Sequence, residues 1–376
     1  MKKNVFFLVS SMEGGGAERV AALLSNHWAE QGHKVTLIPT FSGRGECLYP
    51  LDSRVRLDYL ADRVRSRSRS WFNKMRRFIV LRRMIQESRP DVIVSFLPHV
   101  NVAALLVSWG LRIPVVVSER TYPPAMPLGS GLELLRKLTY SRATRVVVQT
   151  QQALQWLKGY GPRVRGRVIH NPVVYPLPCV EPVVESGSVV PSTRHVALAV
   201  GRLGEEKGFK QILAAFSTLA SQYPDWDLII LGEGSEREAL EQQRGRLGLK
   251  NRVHLPGRVG NLGDWYARAD LYVMSSRFEG FPNTLLEAMA YGLPAVSFDC
   301  ETGPSDIIRD GVDGYLVSTD EGAPGLAKAM NTLMQDETMR KRMGEEAIAV
   351  RERFSARRVM AEWDEVLGLQ KVGADA

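Results

Sequence analysis

The chain opens with an apolar run at residues 4–10, the turn Gly14-Gly15-Gly16, a helical spacing over 17–31, then Gly32 and a second apolar run at 34–39. A connection that long, with a helix inside it, joins strands that lie parallel, so the opening is a βαβ unit and the fold class is α/β. The same alternation continues. Residues 90–96, 114–118, 145–150 and 164–169 read as strands, with a helix over 101–110. Further on, residues 195–200, 228–231, 253–255, 269–274 and 294–298 read as strands, and Gly311–Val317 as a hairpin-like return.

At 376 residues the chain exceeds the size of one hydrophobic core. The proline-rich, weakly periodic stretch 174–193 reads as a linker. The expected division is a first domain at 1–173, a second at 194–355, and a terminal segment at 356–376 whose helix crosses back to the first. No uninterrupted apolar run reaches the length of about eighteen residues that a spanning helix needs. The start imitates a signal peptide faintly, but its apolar core is too short. Cys47, Cys179 and Cys300 are odd in number and far apart, which fits a reducing cytoplasm and no metal cluster.

The net charge of +8 hides a division. Residues 1–180 hold 27 Lys and Arg against 11 Asp and Glu, a net of +16, and the remainder is net −8. The first half should therefore face something anionic. No helix-turn-helix, zinc-finger or RNP-type string favours nucleic acid. Between Arg63 and Arg83 there are nine cations and no acid. Helical phasing from Trp71 sets Trp71, Phe72, Met75, Phe78, Ile79 and Ile85 on one side, with Lys74, Arg76, Arg77 and Arg83 at its flanks and Arg82 interrupting the stripe. With Arg69 before it, this basic amphipathic helix suits an anionic membrane surface or a lipid diphosphate. A core-facing helix with a solvated basic side is the plainer alternative.

The stretch Ser275–Met289 carries the chemistry. It follows a buried strand and runs into a helix over 284–291, with Asn283 as the expected N-cap. Glu279 lies on the loop and Glu287 about one turn into the helix, with free backbone N–H groups between them. Carboxylates accept pairs of hydroxyl hydrogen bonds, and a helix N-terminus favours a diphosphate, so the stretch suits a nucleotide sugar. Gly14-Gly15-Gly16 is not the dinucleotide fingerprint, and no suitable acid follows the second strand, so NAD is a poor fit. Asp225-Trp226-Asp227 has metal-site spacing but precedes a strand on the side away from the ligand edge, and reads as structural.

The string E-G-F-P-N-T-L-L-E, from Glu279 to Glu287, resembles the signature of retaining glycosyltransferases of the GT-B fold, of the family 4 type. The resemblance extends to G-R-L-x-x-x-K-G at Gly201–Gly208, to the glycine turn, and to His170-Asn171-Pro172 at the end of the first half. It implies two Rossmann-like domains facing each other across a cleft, with the donor mainly on the second and the acceptor mainly on the first. It also implies that Glu279 binds the transferred sugar, Glu287 the ribose, and Arg202 and Lys207 the diphosphate, without a metal. Gly280, Phe281, Pro282, Asn283 and Thr284 line the donor, Arg258 borders the base, and Gly15 and Gly16 lie beside the phosphates and acceptor. Where many members have a histidine, this chain has Glu119 in S-E-R. That string is similar to the branch adding N-acetylhexosamines to lipid-linked oligosaccharides, so Glu119 is expected at the acceptor or in catalysis beside Glu279 and Lys207, with Arg120 nearby. A structural salt bridge at Glu119 is the competing reading, and His99 reads as a loop or core histidine.

The function so implied is transfer of a hexose, from UDP-GalNAc or UDP-GlcNAc, with retention, to an undecaprenyl-diphosphate-linked glycan on the cytoplasmic membrane face. A sugar-nucleotide epimerase or glycosyl phosphorylase on the same fold, and a non-catalytic sugar-nucleotide-binding subunit, are the alternatives.

Overall fold

The computed structural model describes residues 1–41, 47–64 and 71–369, the last range without the side chains of Trp71, Phe72 and Lys74. The chain divides into two compact units, Met1–Pro172 with the segment that begins at Arg357, and Val173–Ala356.

The first unit holds β1 (Asn4–Val9), β2 (Lys34–Pro39), β3 (Arg56–Leu57), β4 (Val92–Phe96), β5 (Val115–Ser118), β6 (Arg145–Val148) and β7 (Gly166–Val168). They form one parallel sheet in the order β3-β2-β1-β4-β5-β6-β7. Both faces are covered, which is why the strands read as continuous apolar runs. Val5, Phe7 and Val9 enter one core with Trp28 and Trp363, whereas Phe6 and Leu8 enter the other with Leu81, Ile85 and Tyr140.

The second unit holds β8 (His195–Val200), β9 (Trp226–Leu231), β10 (Val253–Gly257), β11 (Leu271–Met274), β12 (Ala295–Asp299) and β13 (Gly314–Ser318). Their order is β10-β9-β8-β11-β12-β13, again parallel. Val196 and Leu198 face one core, Ala197 and Ala199 the other. In both sheets the chain order reverses beside the first strand, and ligands of open α/β sheets bind outside the carboxyl ends of strands at that point. The two ends of this unit meet, with the Val173 N–H donating to the Phe354 carbonyl at 2.8 Å.

Two expectations need correction. Gly311–Val317 is not a hairpin-like return. Its tight turn, closed by Gly311 N–H to the Gly314 carbonyl at 2.8 Å, leads into β13, which pairs parallel with β12. The helix expected over 101–110 runs Pro98–Val107. Leu97 takes a positive φ of 79° and makes the turn alone, and Pro98 then sits where a missing N–H costs nothing.

The Ala356–Leu367 helix packs in the first unit through Val359, Met360, Trp363 and Leu367. Its Asp364 accepts hydrogen bonds from Trp28 Nε1 at 3.0 Å and Gln31 Nε2 at 3.1 Å, and pairs with His27 Nε2 at 3.0 Å. Burial alone would raise the Asp364 pKa. The hydrogen bonds from His27 and Gln31 outweigh it and hold the group below 3.8. Asp364→Ala strands three donors and should cost about 1–3 kcal/mol in urea melts at neutral pH. A depressed carboxyl contributes stability above its unfolded pKa and loses it as pH falls through the folded one. The gap between wild type and variant should therefore shrink below about pH 3.8; a gap independent of pH would refute the assignment.

Candidate functional site

In the second unit, two loops leave the carboxyl ends of the adjacent strands β8 and β11. The first, after Val200, makes a short turn at Glu205–Lys207 and ends at Gly208 with a φ of 63°. A Cβ at Gly208 would lie 2.3 Å from the Ser275 carbonyl, so only glycine lets the two loops approach. Ser275 Oγ donates to the Lys207 carbonyl at 2.9 Å, and the Arg277 N–H donates to the Glu206 carbonyl at 2.8 Å. So strapped, Lys207 Nζ reaches Glu279 Oε1 at 2.6 Å, and Ser276 Oγ donates to the same oxygen at 2.6 Å. The Thr302 hydroxyl donates to the Glu279 carbonyl, fixing the loop from its other side.

The helix after this loop spans Asn283–Ala290, and its N-cap is Pro282 (φ −75°, ψ 104°), with no side-chain cap. Asn283 is the first helical residue and not the cap, because proline holds the extended entry, and its ring has no side-chain acceptor to cap the first turn. Tyr272 donates to Thr284 Oγ1 at 2.8 Å from beneath. Phe281 is buried and packs edge-on against Phe354 at 5.3 Å. Gly280 continues the loop and is half-buried. Glu287 is 3% exposed, and Tyr266 donates to its Oε2 at 3.3 Å.

The structure therefore brings Lys207, Glu279 and the 280–284 turn together. Arg202 departs from them. Its Nη2 pairs with Glu206 at 2.6 Å and its side chain is 75% exposed. Arg258 is exposed directly after β10. The turns at Gly232-Glu233-Gly234 and Pro256-Gly257, which the family resemblance sets beside the nucleotide base, meet here: the Gly232 N–H donates to the Gly257 carbonyl at 2.8 Å, and a Cβ at Gly232 would lie 1.9 Å from the Gly201 carbonyl. Glycines thus follow β8 and β9, at Gly201 and Gly232, and end β10 at Gly257, leaving a backbone surface at the ligand edge. Asp227 is buried and takes Arg194 Nε at 2.6 Å and Arg252 Nε at 3.1 Å, which fits its structural reading.

In the first unit the tri-glycine turn is tied down by Tyr49, whose hydroxyl donates to the Gly15 carbonyl at 2.9 Å and accepts from the Gly15 N–H at 3.0 Å. Gly16 begins the helix Gly16–Glu30. The sequence reading passed over Glu18. Its carboxylate folds back over Gly15 and accepts from Ser11 Oγ at 3.2 Å, and burial raises its pKa. Only the helical spacing marked it beforehand. His99 is half-buried in the first turn of Pro98–Val107, 3.2 Å from Ser10 Oγ, and burial lowers its pKa.

Glu119 does not lie where a residue touching an acceptor would. It is 1% exposed, accepts from the Tyr140 hydroxyl and lies 3.5 Å from Arg136 Nη1. Asn101 Nδ2 joins the network, donating to the Tyr140 hydroxyl at 3.1 Å and to the Ser118 carbonyl at 2.9 Å. The competing reading, a structural salt bridge, describes this geometry. Its neighbour faces the other way. Arg120 lies over the Phe96 ring at 4.5 Å, and its Nη2 donates to Asn171 Oδ1. Its buried Nε and Nη1 have no hydrogen-bond partner among the described residues, and burial pushes its pKa down to about 9.

The basic helix spans Trp71–Ser88, and its phasing also needs correction. Leu81, Met84 and Ile85 are buried with Phe78 packed beside them, whereas Met75 and Ile79 are 45% and 59% exposed. Nine apolar residues on eighteen exceed one stripe, and the sheet takes the 78/81/85 set, leaving 75/79 outside with Arg76 and Arg83. Arg77 is committed to the Thr40 and Phe41 carbonyls at 3.0 and 3.1 Å. Arg82 donates to the Val107 and Trp109 carbonyls at 2.6 and 3.0 Å, closing the C-terminus of the neighbouring helix. Arg69 lies outside the described residues, as do the side chains of Trp71, Phe72 and Lys74.

Two Rossmann-like units, with a lysine–glutamate pair at the strand ends of the second, define a GT-B enzyme acting on sugar nucleotides. The chain belongs to the group 1 and family 4 glycosyltransferases: the model "Glycosyltransferase Family 4" matches residues 14–174 and "Glycosyl transferases group 1" matches 185–350. It is 27% identical over 368 residues to the amylovoran biosynthesis glycosyltransferase AmsD of Erwinia amylovora, covering 98% of this chain and 100% of that protein. It is 26% identical over 361 residues, 96% of each, to a Campylobacter jejuni transferase. That relative is named GalNAc-alpha-(1->4)-GalNAc-alpha-(1->3)-diNAcBac-PP-undecaprenol alpha-1,4-N-acetyl-D-galactosaminyltransferase. The fold matches Anabaena Alr3699/HepE in complex with UDP at a TM-score of 0.81, with 21% identity over 98% of this chain and 100% of that one. Among the described residues no group of three or more His, Cys, Asp or Glu side chains is placed to hold a metal ion.

Burial raises the Glu119 pKa above 4.5, against the pull of Tyr140 and Arg136. A carboxyl so raised leaves the folded chain most stable below the unfolded value and weaker as pH rises through the folded one. The melting temperature of Glu119→Gln minus that of wild type should therefore increase from pH 4.5 toward neutrality and then level. A difference that falls over that range would mean that Glu119 is stabilised as the anion.

Proposed function

We propose that this chain is a retaining glycosyltransferase that moves an N-acetylhexosamine, GalNAc or GlcNAc, from its UDP form to a lipid-diphosphate-linked glycan at the inner face of the cell membrane. The observation that carries the reading is the Lys207–Glu279 pair, held on the loop that leads into the Asn283–Ala290 helix. Its donor would lie with the diphosphate at the N-terminal end of the Asn283–Ala290 helix and on Lys207, the sugar hydroxyls on Glu279 and the ribose on Glu287. Arg202 needs only to turn from Glu206, since its side chain is exposed. The acceptor would meet the first unit, where Arg120 offers two unpartnered nitrogens to a hydroxyl or an acetamido oxygen.

As the anomeric carbon–oxygen bond breaks, the leaving UDP gains negative charge, and Lys207 stabilises it. Glu279 is occupied in binding, and Glu119 is enclosed in its own network. The acceptor hydroxyl therefore attacks from the face that UDP leaves, its proton passing to the departing phosphate oxygen, and configuration is retained. A glycosyl adduct on any carboxylate would rule this out.

Support for the lipid-linked acceptor comes from the Campylobacter relative and from the exposed face of Trp71–Ser88, which sets Met75 and Ile79 beside Arg76 and Arg83. No helix among the described residues is long and apolar enough to cross a membrane. The chain would act as a peripheral protein there.

The test is incubation with a panel of UDP- and GDP-sugars, with and without an undecaprenyl-diphosphate oligosaccharide, following nucleotide release and lipid mass. Release that requires the lipid, with a product heavier by an N-acetylhexosamine, is expected; an epimerised donor would overturn the reading. Lys207→Ala should lower kcat by roughly 100-fold or more. Glu287→Gln should act chiefly on the donor KM. Equal effects of both on KM alone would remove Lys207 from the chemistry.

A further inference from the structure

Three helices share one face of the first unit's sheet: Trp71–Ser88, Pro98–Val107 and Ser130–Tyr140, with Pro98–Val107 packed against both of the others. Ser130–Tyr140 buries Arg136, Thr139 and Tyr140 but leaves Leu134, Leu135 and Leu138 at 57%, 39% and 60% exposure. Leu138 is one turn from both of the other leucines, so the three make one stripe, and Met126, 47% exposed, precedes the helix. Single exposed leucines are ordinary; a stripe of three on one helix marks a contact surface.

The charge around the stripe selects the partner. Lys137 is exposed within it. The helix's one acid, Glu133, is engaged by Arg136 and by the Tyr160 hydroxyl. Beyond the middle helix, Trp109 is 54% exposed with the Arg142 guanidinium 3.3 Å over its ring. Arg82, in the Trp71–Ser88 helix that also exposes Met75, Arg76, Ile79 and Arg83, donates to the Trp109 carbonyl. The other acid on these helices, Glu87, is next to last in Trp71–Ser88. A second copy would set these cations against their like, whereas an anionic headgroup layer neutralises them while the leucines enter the acyl boundary.

We propose that the Leu134/Leu135/Leu138 stripe is a second membrane-inserting element, which together with the Trp71–Ser88 helix seats the first unit on an anionic bilayer. The inference rests on the membrane part of the proposed function and assigns its anchoring to a helix outside the basic segment. Two points of insertion fix the unit's orientation, where one helix would leave it free to roll.

Flotation of the full chain with vesicles of phosphatidylglycerol and phosphatidylethanolamine tests it, comparing wild type, Leu134→Ser/Leu138→Ser and Met75→Ser/Ile79→Ser. Calorimetric UDP binding and thermal melts run alongside. The leucine variant should keep its melting temperature and UDP affinity and lose roughly tenfold or more in vesicle partitioning. Wild type should retain part of its binding in high salt, which a purely electrostatic contact would not. Loss in the Met75/Ile79 variant with none in the leucine variant would overturn this inference and leave the proposed function standing. Wild-type binding of UDP with no vesicle binding would overturn both membrane claims. Wild-type dimerisation by sedimentation, abolished by the leucine change with vesicle binding unaltered, would assign the stripe to a second copy instead.

Discussion

The site depends on one ion pair, Lys207 Nζ to Glu279 Oε1 at 2.6 Å, between loops that belong to adjacent strands. The pair joins two stretches that are seventy-two residues apart, and the backbone makes it possible: Gly208 and the Ser275 carbonyl could not approach past a side chain. Neither charge is free in water, with side-chain exposures of 24% and 10%. Such a pair is costly to break without replacement. In the proposed function, a diphosphate for the lysine and sugar hydroxyls for the glutamate would replace both partners together.

The first unit shows the opposite use of buried charge. Glu119 is enclosed by Tyr140, Asn101 and Arg136, which fastens the Ser130–Tyr140 helix to the end of β5. One residue on, Arg120 is anchored by Asn171 and Phe96 with two nitrogens left unpartnered. The two adjacent positions thus enter different surroundings, Glu119 among Tyr140 and Arg136, and Arg120 against Phe96 and Asn171.

The sheets were legible because apolar runs bounded by glycine turns leave little choice of class, and the Glu279–Glu287 string was placed correctly between a strand and a helix. Arg202 was beyond reach: a glycine-loop cation can turn to the loop's own Glu206, and no spacing rule decides between them. Glu119 stayed between two readings for a similar reason, since its partners Tyr140 and Arg136 lie on a helix whose docking only the fold reveals. In Trp71–Ser88 the apolar residues fill two stripes, so periodicity alone could not say whether Met75 and Ile79 or Leu81 and Met84 go inward. The leucines of Ser130–Tyr140 read as an ordinary core face until the packing left them outside.

The most direct test is the structure of the protein with a UDP-sugar bound, read at one contact. The account expects the diphosphate within hydrogen-bond distance of Lys207 Nζ and the turn at Asn283 and Thr284, with sugar hydroxyls on the Glu279 carboxylate. A nucleotide sugar bound elsewhere, with Lys207 and Glu279 still paired at 2.6 Å, would contradict it.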